Sequence, residues 1–273
     1  MHYDPIKAML GTFFNQAPVL RKLFYRLLDL LLLRTWHVKK ALKEWGKTHT
    51  SVTQILDAGM GFGQYSYWMA SHNKQWRVHG VDVKEEQIAD CKAFFTKVGL
   101  SNASFGYADL VQFKHPSAYD LIVSVDVMEH ILEDDQVFKN FFGSLKPGGM
   151  LLVSTPSDQG GSDVHHHDHE DDGSGSFIGE HVRDGYNIQA IQQQLSNAGF
   201  SSTTAKYTYG CPGKISWKLS MKYPILMLNV SKLLLIVLPF YYLVVFPFAL
   251  VLNYIDVRAS HKSGTGLLVT AIK

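Results

Sequence analysis

Cysteine is scarce in this chain, and so is any excess of one charge. The two cysteines, Cys91 and Cys211, stand far apart, which excludes a disulfide framework and is typical of a reduced, cytoplasmic protein. The formal net charge is only +2, so no overall field points to nucleic acid as a partner. No small-residue cleavage pattern follows the first long apolar run, and we therefore expect no secretory signal peptide.

The charge that is present is distributed unevenly along the chain. Residues 1–50 hold nine Lys/Arg against three acids, and residues 206–262 hold seven against one. Between them, residues 157–184 hold eight acids and one arginine. Within this acidic stretch, "VHHHDHEDD" (residues 164–172) predicts a solvated, mobile loop, with weak metal binding as the alternative. Two basic, apolar regions therefore flank an acidic middle.

From residue 52 onward, short apolar runs alternate with stretches of helical spacing. Each run is typical of a buried strand, and the helices between them are predicted over residues 64–72, 84–98, 127–143 and 187–198. A further strand is expected near residues 202–209, and "GTGLLVTAIK" ends the chain as the last strand. Such alternation predicts a largely parallel sheet with helices on both faces, whose ligands lie beyond the carboxyl ends of the strands.

The N-terminal residues 18–46 predict a single helix. Apolar side chains recur at helical spacing on one face, from Leu20 to Trp45, while Lys22 and Arg26 lie on the opposite face. The run "LLDLLLL" widens the apolar stripe beyond what a simple surface helix needs. This helix therefore either packs over the core or contacts a membrane.

A second apolar stretch, residues 223–255, interrupts the alternating pattern before the last strand. Its run Leu233–Ile255 is uncharged and long enough to span a bilayer. If the strands on either side share one sheet, however, the chain leaves and returns on the same side, and Pro224, Pro239 and Pro247 interrupt any long helix. We therefore expect a helical hairpin that enters or lies along one leaflet, flanked by lysines suited to anionic headgroups. The alternative is a helical subdomain that packs on the N-terminal helix or forms a dimer.

The stretch "ILDAGMGFGQYS" (residues 55–66) carries the clearest chemical signal. An apolar strand ends at Asp57, and Gly59, Gly61 and Gly63 follow at alternate positions. A dinucleotide-binding turn has the spacing G-x-G-x-x-G and faces a pyrophosphate, which an acid at the strand end would repel. The same acid favours a cationic ligand. The turn therefore favours S-adenosylmethionine, which carries an ammonium and a sulfonium and has no phosphate.

Two further acids at predicted strand ends fit the same cofactor. Asp82 ends the second strand, where a carboxylate can accept both ribose hydroxyls, and Asp109 ends the third, where it can receive the adenine amino group. We add three residues to this expected cofactor site: Val83, Leu110 and Asp126. Each acid taken alone could instead be an ordinary turn or helix-capping residue.

With "LDAGMGFG", "GVD", "YADL", "YDLIVSVDVMEHI" and "LKPGG", the chain resembles the class I S-adenosylmethionine-dependent methyltransferases. The resemblance covers about residues 50–210 and 264–273. It implies an α/β, Rossmann-like sheet of seven strands with an antiparallel last strand, and it places Asp57 and Gly59 near the methionine end of the cofactor. Met60 and Phe62 are bulkier than the family's usual residues between these glycines, and they fit if both side chains point away from the cofactor.

Four regions follow from these patterns. We expect a helical, basic N-terminal extension over residues 1–50, a methyltransferase core over 51–222, an apolar helical hairpin over 223–257, and the last core strand within 258–273. The hairpin is thus an insertion before the last strand of the sheet.

The stretch "SVDVMEHI" begins where the fourth strand ends. On a helix, Asp126, Glu129 and His130 would share one face, and two carboxylates with an imidazole can hold Mg²⁺ or Zn²⁺. This stretch resembles the ubiquinone-biosynthesis O-methyltransferases, which implies a divalent metal that lowers the pKa of a phenol hydroxyl. Alternatively, Glu129 and His130 only shape the wall of the substrate site, since Glu-His at this point is common in methyltransferases that need no metal.

The remaining candidates concern the acceptor of the methyl group. "GEHVRDGYN" lines the substrate side of the sheet in related methyltransferases, so we expect His181, Arg183 and Tyr186 to contact substrate. Glu129, from the stretch after the fourth strand, is a further expected substrate contact. His130 and His181 are the candidate catalytic bases. For the residues of this stretch, the alternative role is to cap and pack helix 188–198.

These features predict a methyltransferase for an amphipathic or membrane-resident acceptor, such as a quinone precursor, an aryl lipid or another lipid, methylated at an oxygen. Its expected location is the cytoplasmic face of a membrane, as a peripheral or monotopic protein. One alternative is a small soluble aromatic or carboxylate acceptor, with the apolar segments used in a homodimer. A non-catalytic cofactor-binding module is another, and the G-x-G-x-G spacing with Asp57 disfavours a Rossmann oxidoreductase.

Overall fold

The computed structural model describes residues 17–160 and 182–273. Within them, seven strands form a single sheet: β1 (Thr53–Ala58), β2 (Trp76–Asp82), β3 (Ala103–Tyr107), β4 (Tyr119–Val125), β5 (Leu145–Pro156), β6 (Ser202–Thr208) and β7 (Gly266–Ile272). Their order across the sheet is β3-β2-β1-β4-β5-β7-β6. Strands β1 to β5 pair in parallel, whereas β7 runs antiparallel to both β5 and β6. The predicted seven-stranded α/β fold with an antiparallel last strand is confirmed.

Nine α-helices surround or extend this sheet in the described residues: α1 (Pro18–Leu31), α2 (Leu33–Gly46), α3 (Gln64–His72), α4 (Glu85–Lys97), α5 (Asp134–Ser144), α6 (Ile188–Ala198), α7 (Cys211–Trp217), α8 (Tyr223–Val230) and α9 (Leu238–Arg258). Short 3₁₀ turns cover Met128–His130 and Lys232–Ile236, and a π turn covers Lys218–Lys222. The helix predicted over 127–143 is therefore wrong in its first part, because α5 starts only at Asp134.

A separate apolar core lies on each face of the sheet. Alternate residues of one strand enter opposite cores: Leu56 belongs to the first and Ile55 to the second, and both are completely buried. Aromatic side chains extend the second core, which also receives Trp76 and Tyr25. Since Tyr25 comes from α1, the N-terminal region packs onto the sheet domain rather than standing apart from it.

The N-terminal region is two helices rather than the single helix predicted. Leu32 has an extended backbone conformation and separates α1 from α2. In α1, moreover, the buried residues are Arg21 and Tyr25. Four of its large apolar side chains are exposed instead: Val19, Leu23, Leu27 and Leu30. Periodicity identified an amphipathic helix here, but it could not show which face the domain would cover.

The insertion before β7 forms a helical hairpin, as expected, but it starts at Cys211 rather than at residue 223 and ends at Arg258. We call it the apolar hairpin (residues 211–258). Its first leg stays helical from α7 through the π turn to α8, and its second leg is α9. The legs are joined by hydrogen bonds from Tyr241 and Tyr242 hydroxyls to the carbonyls of Leu219 and Ser220, at 2.7 and 2.8 Å. The hairpin tip is formed by residues 231–237.

Proline affects the hairpin less than predicted. Pro224 and Pro239 lie in the first turns of α8 and α9, where a missing N–H costs little. Pro247 lies inside α9, which nevertheless runs unbroken over its full length of 21 residues. The first leg also stays helical across Pro224, so the expectation that all three prolines would interrupt the helices was wrong for Pro224 and Pro247.

Helix α2 connects the hairpin to the sheet domain. The imidazole of His37 lies 2.9 Å from a carboxylate oxygen of Asp256 in α9, and both side chains are buried. Lys40 donates to the carbonyl of Val257 at 3.0 Å, and His261 also approaches Asp256, at 3.2 Å. These contacts fix the base of the hairpin at its C-terminal end.

Candidate functional site

The glycine turn after β1 needs glycine at all three positions. Gly59, Gly61 and Gly63 have φ angles of 75°, 51° and 72°, which residues other than glycine rarely adopt. A Cβ atom on Gly59 would also lie 2.4 Å from the side chain of Val127, just beyond β4. At Gly61, in contrast, the nearest atom would be 3.8 Å away. The turn is therefore packed at Gly59 and open at Gly61.

The two bulky residues of this turn point into the protein. Met60 is almost fully buried in the second core, with its sulfur close to Gly80 of β2. Phe62 packs edge-to-face against Phe24 of α1, with ring centroids 6.2 Å apart. The departure from the small residues usual in this motif thus leaves the open side of the turn unobstructed.

Asp57 is the next-to-last residue of β1, and its carboxylate is buried. It accepts a hydrogen bond of 2.6 Å from the Ser66 hydroxyl of α3, and burial raises its pKa to about 6. The carboxylate of Asp82 also raises it. No cationic side chain in the described parts of the chain pairs with Asp57. A cationic ligand beside the glycine turn would therefore find a negative charge that the protein itself has not neutralised.

Asp82 and Asp109 both lie at the carboxyl edge of the sheet, as predicted. The two carboxylate oxygens of Asp82 accept from the backbone N–H groups of Gly61 and Lys84, each at 2.9 Å. Each oxygen retains a second lone pair that a ligand hydroxyl can use. One oxygen of Asp109 accepts from the N–H of Val111 at 2.9 Å, which shapes the loop after β3.

The neighbours of these acids differ in exposure. Val83 is 55% exposed beside Asp82, so its side chain can contact a ligand at this edge. Leu110 is only 5% exposed and packs in the first core. Asn140 of α5 holds the Leu110 carbonyl at 2.9 Å. Leu110 therefore supports the Asp109 loop from below.

The structure adds an arginine to this edge that the sequence analysis did not identify. Arg34, in the first turn of α2, forms an ion pair with Asp126, which follows β4 in a left-handed backbone conformation with φ of 52°. Its backbone N–H donates to the hydroxyl of Tyr209 at 2.9 Å. A charged residue directly after the apolar run "LLDLLLL" was the available signal.

Two tyrosines lie beneath Arg34. Tyr65 of α3 is buried and Tyr209 after β6 is half-buried. Desolvation raises the pKa of each phenol, that of Tyr209 to about 12. The charge of Arg34 acts against this rise at both residues. The Tyr65 hydroxyl lies 3.2 Å from that of Thr35 in α2. Both phenols therefore stay protonated at neutral pH and offer hydroxyl groups close to a cation.

Helix α1 covers the glycine turn from the other side. The Arg21 guanidinium donates to the carbonyl of Phe62 at 2.9 Å, and the Tyr25 hydroxyl donates to the same carbonyl. Asp29 accepts from the Gln64 side chain at 2.8 Å. Helix α1 thus holds the backbone of the turn, so the candidate site is completed by a region outside the alternating strand–helix pattern.

The metal site predicted from Asp126, Glu129 and His130 does not form. These residues do not share a helical face, because only Met128–His130 adopts a short 3₁₀ turn. Asp126 pairs with Arg34, Glu129 is buried and accepts from Thr155 at 3.1 Å, and His130 is exposed. Over residues 17–160 and 182–273, no cluster of three or more His, Cys, Asp or Glu side chains suits a metal ion.

Arg183 and Tyr186, predicted as substrate contacts, are engaged within the protein. Arg183 forms an ion pair with Asp134 and lies over the ring of Tyr186, 4.9 Å from its centroid. The Tyr186 hydroxyl donates to Asp134 at 2.7 Å, and its side chain is 3% exposed. The backbone of Val182 also donates to the Glu129 carbonyl at 3.1 Å. These contacts hold the Glu129 segment in place, so a direct substrate contact remains a prediction.

Glu129 and His130 remain candidates at the acceptor side. Burial raises the pKa of Glu129, and the nearby His130, Thr155 and Arg34 act in the opposite direction. His181 and the histidine run 165–169 lie outside the described residues, and their predicted roles stay predictions.

Comparisons with known proteins agree with this geometry. A family described as a methyltransferase domain matches residues 49–209, more than half of the chain. Phosphoethanolamine N-methyltransferase 1 of Arabidopsis thaliana is 30% identical over 164 residues, which cover 56% of this chain and 30% of that protein. Ubiquinone biosynthesis O-methyltransferase of Coxiella burnetii is 31% identical over 102 residues, which cover 37% and 42%. The chain thus spans under half the length of these relatives.

Solved structures share the fold at lower identity. Haemonchus contortus phosphoethanolamine N-methyltransferase 2, in complex with S-adenosyl-L-methionine, aligns with a TM-score of 0.57 and 18% identity over 82% of this chain and 49% of that chain. A sarcosine dimethylglycine methyltransferase structure from Galdieria sulphuraria gives 0.55 and 16% over 86% and 82%. The likeness to these structures concerns the fold.

Proposed function

Because the chain belongs to the class I S-adenosylmethionine-dependent methyltransferases, we propose that it methylates an acceptor that resides in a membrane. The observation that carries this proposal is the apolar hairpin, which exposes large hydrophobic side chains next to the cofactor domain. Helix α9 is long and apolar enough to cross a membrane by length and composition, yet only 11% of its most apolar stretch is buried. A core helix of a soluble protein would be mostly buried.

The exposed surface continues over the whole hairpin. At its tip, Leu233 and Ile236 are 77% and 71% exposed, and in α9 Leu243 is 77% exposed. Exposed apolar surface of this extent is typical of an interaction face. The exposed side chains of α1 add a second apolar surface on the same chain, where Val19 reaches 75%. The proposal takes these surfaces as contacts with one leaflet of a membrane.

Basic and aromatic residues stand at the base of the hairpin. Lys214, Lys218 and Lys222 lie along the first leg. On the second leg, the guanidinium of Arg258 lies 3.4 Å from the centre of the Tyr254 ring. Tyrosine and basic residues suit the headgroup layer, and anionic lipids are concentrated on the cytoplasmic face. We therefore propose a monotopic or peripheral protein at the cytoplasmic face of a membrane.

The residues at the carboxyl edge of the sheet fit S-adenosylmethionine. Asp57 and the open side of the turn at Gly61 suit its charged methionine end, and the free lone pairs of Asp82 suit its ribose hydroxyls. Asp109, in the loop after β3, is the proposed partner of the adenine. When bound, the cofactor supplies an activated methyl group. The chain's own task is to align the acceptor and exclude water. Helix α1 covers the turn, and α2 places Arg34 at the same edge of the sheet.

We propose an oxygen as the methylated atom. A phenol hydroxyl with its usual pKa needs a base during methyl transfer. His130 is the candidate, since it is exposed at the end of the 3₁₀ turn beside Glu129, where it can hold the proton that the hydroxyl loses.

A nitrogen acceptor is the second candidate, and two observations favour it. The acids Asp126 and Glu129 stand at the acceptor side, where carboxylates suit an amine. The phosphoethanolamine N-methyltransferases are among the relatives. A lipid with an amine headgroup would satisfy both the acids and the apolar hairpin.

The test combines lipid composition with turnover. Lipid extracts from cells with and without the protein are compared by mass spectrometry, and we expect a lipid that gains one CH₂ only when the protein is present. Fragmentation then assigns the new methyl group to oxygen or nitrogen. In vitro, formation of S-adenosylhomocysteine should require vesicles made from the extract.

The alternatives predict different results. Equal turnover with water-soluble acceptors and without vesicles would favour a soluble substrate, with the hairpin buried in a homodimer that ultracentrifugation would detect. Cofactor binding without any turnover would favour a non-catalytic module.

A further inference from the structure

A basic cleft lies between α2, the end of α1 and the C-terminal end of α9. It encloses about 500 Å³, and none of the predicted cofactor or acceptor residues lines it. Its cationic lining residues are Lys39, Lys40, Lys43, Lys47 and Arg258. We propose that this cleft binds a phosphate-bearing headgroup, supplied by an anionic phospholipid of the membrane surface.

The positive charge of the cleft is only partly compensated. Five cationic side chains line it against two acids, Asp29 and Glu44. Lys39 pairs with Asp29 at 2.5 Å, and Lys40 donates to a backbone carbonyl. Lys43 and Lys47 are exposed, and neither has a salt-bridge partner in the described parts of the chain. The cleft thus retains cationic groups for a ligand, and a phosphate provides several strong acceptor oxygens for them.

The positive charge of the cleft lysines also lowers the pKa values of two nearby basic side chains, His72 and Lys206. Burial lowers the pKa of His72, and Lys43 and Lys39 lower it further. Burial also lowers the pKa of Lys206, and Lys40 adds to that shift. Like charges held this close destabilise each other, and a bound anion would relieve the repulsion.

An unpaired hydrogen-bond donor lies next to the cleft. Trp36 lines it, and the indole N–H of Trp36 is buried with no hydrogen-bond partner in the described residues. Buried polar groups are normally paired, so an unpaired donor beside a basic cleft points to an acceptor that comes with a ligand. Phosphate oxygens meet this need as well as the need for negative charge.

The position of the cleft favours a lipid as the source of the phosphate. Val257 and Arg258, which end α9, line the cleft, while Val251, Tyr254 and Ile255 of the same helix are between 45% and 59% exposed. A phospholipid beside α9 could therefore place its acyl chains along the apolar face and its phosphate in the cleft. The phosphate chemistry rests on the cleft itself, and only its source in a lipid rests on the membrane contact proposed above.

The experiment uses the full chain and two charge-matched double variants. Lys43→Gln with Lys47→Gln removes two cleft lysines, while Lys92→Gln with Lys139→Gln removes two exposed lysines from α4 and α5. In the first arm, inorganic phosphate is titrated at constant ionic strength. The Trp36 indole resonance is followed by NMR and assigned with Trp36→Phe. In the second arm, binding is measured to phosphatidylcholine vesicles with and without phosphatidylglycerol.

We expect phosphate to shift the Trp36 resonance saturably in the wild type and the control, but not in the cleft variant. Phosphatidylglycerol should strengthen wild-type vesicle binding, and the cleft variant should lose about 10-fold of that binding while the control loses about 3-fold or less. Binding to pure phosphatidylcholine should be unchanged in both variants.

Three results would count against parts of the proposal. If the cleft variant behaves like the control in both arms, the cleft is not a phosphate site. If only the phosphate titration distinguishes them, the site stands and its lipid source is wrong. If no form of the protein binds any vesicle, the proposed membrane contact fails, and the phosphate titration alone decides the cleft.

Discussion

In the sheet, Leu56, Ile122 and Leu152 are completely buried, whereas in α9 Leu243 and Phe248 are 77% and 65% exposed. The residues are similar in kind, so the difference lies in what covers them. Both faces of the sheet are covered by helices of the same chain. The outer face of α9 has no such cover in the described residues, which indicates that its apolar surface is made for another molecule or phase.

Polar groups in these two regions also differ. At the carboxyl edge of the sheet, Asp57 is buried without a cationic partner in the described residues, which suits a ligand. At the base of the hairpin, Asp256 is buried but contacts His37 and His261, which suits a joint between elements. Helix α2 contributes to both regions. Its His37 contacts Asp256 at the base of the hairpin, and its Arg34 pairs with Asp126 at the edge of the sheet. Four experiments test this comparison, in order of decreasing expected effect.

Replacing the exposed apolar residues of α9 should abolish membrane binding. For Leu243→Gln, Val244→Gln and Phe248→Gln together, we expect vesicle affinity to fall about 1,000-fold, because each side chain contributes about 1.5 kcal/mol when buried. Vesicle flotation measures the loss. The matched control replaces Val52, Tyr107 and Leu132 with Gln. These residues are 57%, 64% and 70% exposed on the sheet domain, and an equal loss there would refute the distinction between the two regions.

Asp57→Asn should separate cofactor binding from stability. We expect affinity for S-adenosylmethionine to fall on the order of 100-fold, because a buried negative charge is lost. The free energy of unfolding at pH 7 should rise by about 2 kcal/mol, because the folded pKa of about 6 lies above the ordinary value of 3.8 and the charged form is penalised in the fold. Calorimetry and chemical denaturation measure the two effects.

The sign of that stability change depends on pH. In the wild type the penalty disappears as the pH falls from about 6 to below 3.8, since the folded protein then takes up the proton more readily. The gain in Asp57→Asn should therefore shrink over this window. Unchanged cofactor affinity, or lower stability at pH 7, would contradict the assigned environment of Asp57.

Arg34→Gln should affect methyl transfer more than cofactor binding. Arg34 and Asp126 are 39% and 28% exposed, so their ion pair is partly screened, and we expect turnover to fall about 10-fold with cofactor affinity changed by less than about 3-fold. Arg34→Lys keeps the charge and should retain more activity. Unchanged turnover in Arg34→Gln would contradict a role of the Arg34–Asp126 pair in methyl transfer.

The smallest effect concerns the joint between α2 and α9. Burial lowers the pKa of His37, which faces Asp256, Lys206 and His261. Below about pH 6.5 the unfolded chain binds a proton that the folded protein resists, so stability falls as the pH drops. Between pH 7 and 5 we expect the wild type to lose about 1 kcal/mol more than His37→Asn, measured by denaturation at each pH. Parallel losses in both proteins would rule out His37 as the cause.

Several parts of the molecule were predictable from local sequence. The strands and helices of the core alternate with clear periodicity, and the residues 64–72 predicted as a helix form α3. Gly59, Gly61 and Gly63 predicted a tight turn, and the structure gives all three positive φ angles. The acids at strand ends lie at one edge of the sheet because parallel strands bring their carboxyl ends together.

Other parts depended on contacts between distant segments. The pattern Asp126, Glu129 and His130 has helical spacing, but Asp126 pairs with Arg34 and adopts a left-handed conformation, so the predicted helical face does not exist. The apolar side of α1 was clear from its period. That Arg21 and Tyr25 would face the domain, however, depended on the carbonyl of Phe62 that both of them bind.

The sequence by itself determined the sheet, the glycine turn and the methyl donor it favours, because these follow from short-range periodicity and from backbone conformations that only glycine adopts readily. Tertiary structure decided which N-terminal residues complete the site, which face of α1 stays exposed, and how α2 joins the cofactor edge to the apolar hairpin. Those outcomes rest on ion pairs and hydrogen bonds between residues far apart in the chain. The partners in such contacts are brought together only by the packing of the whole domain, so no local pattern encodes them.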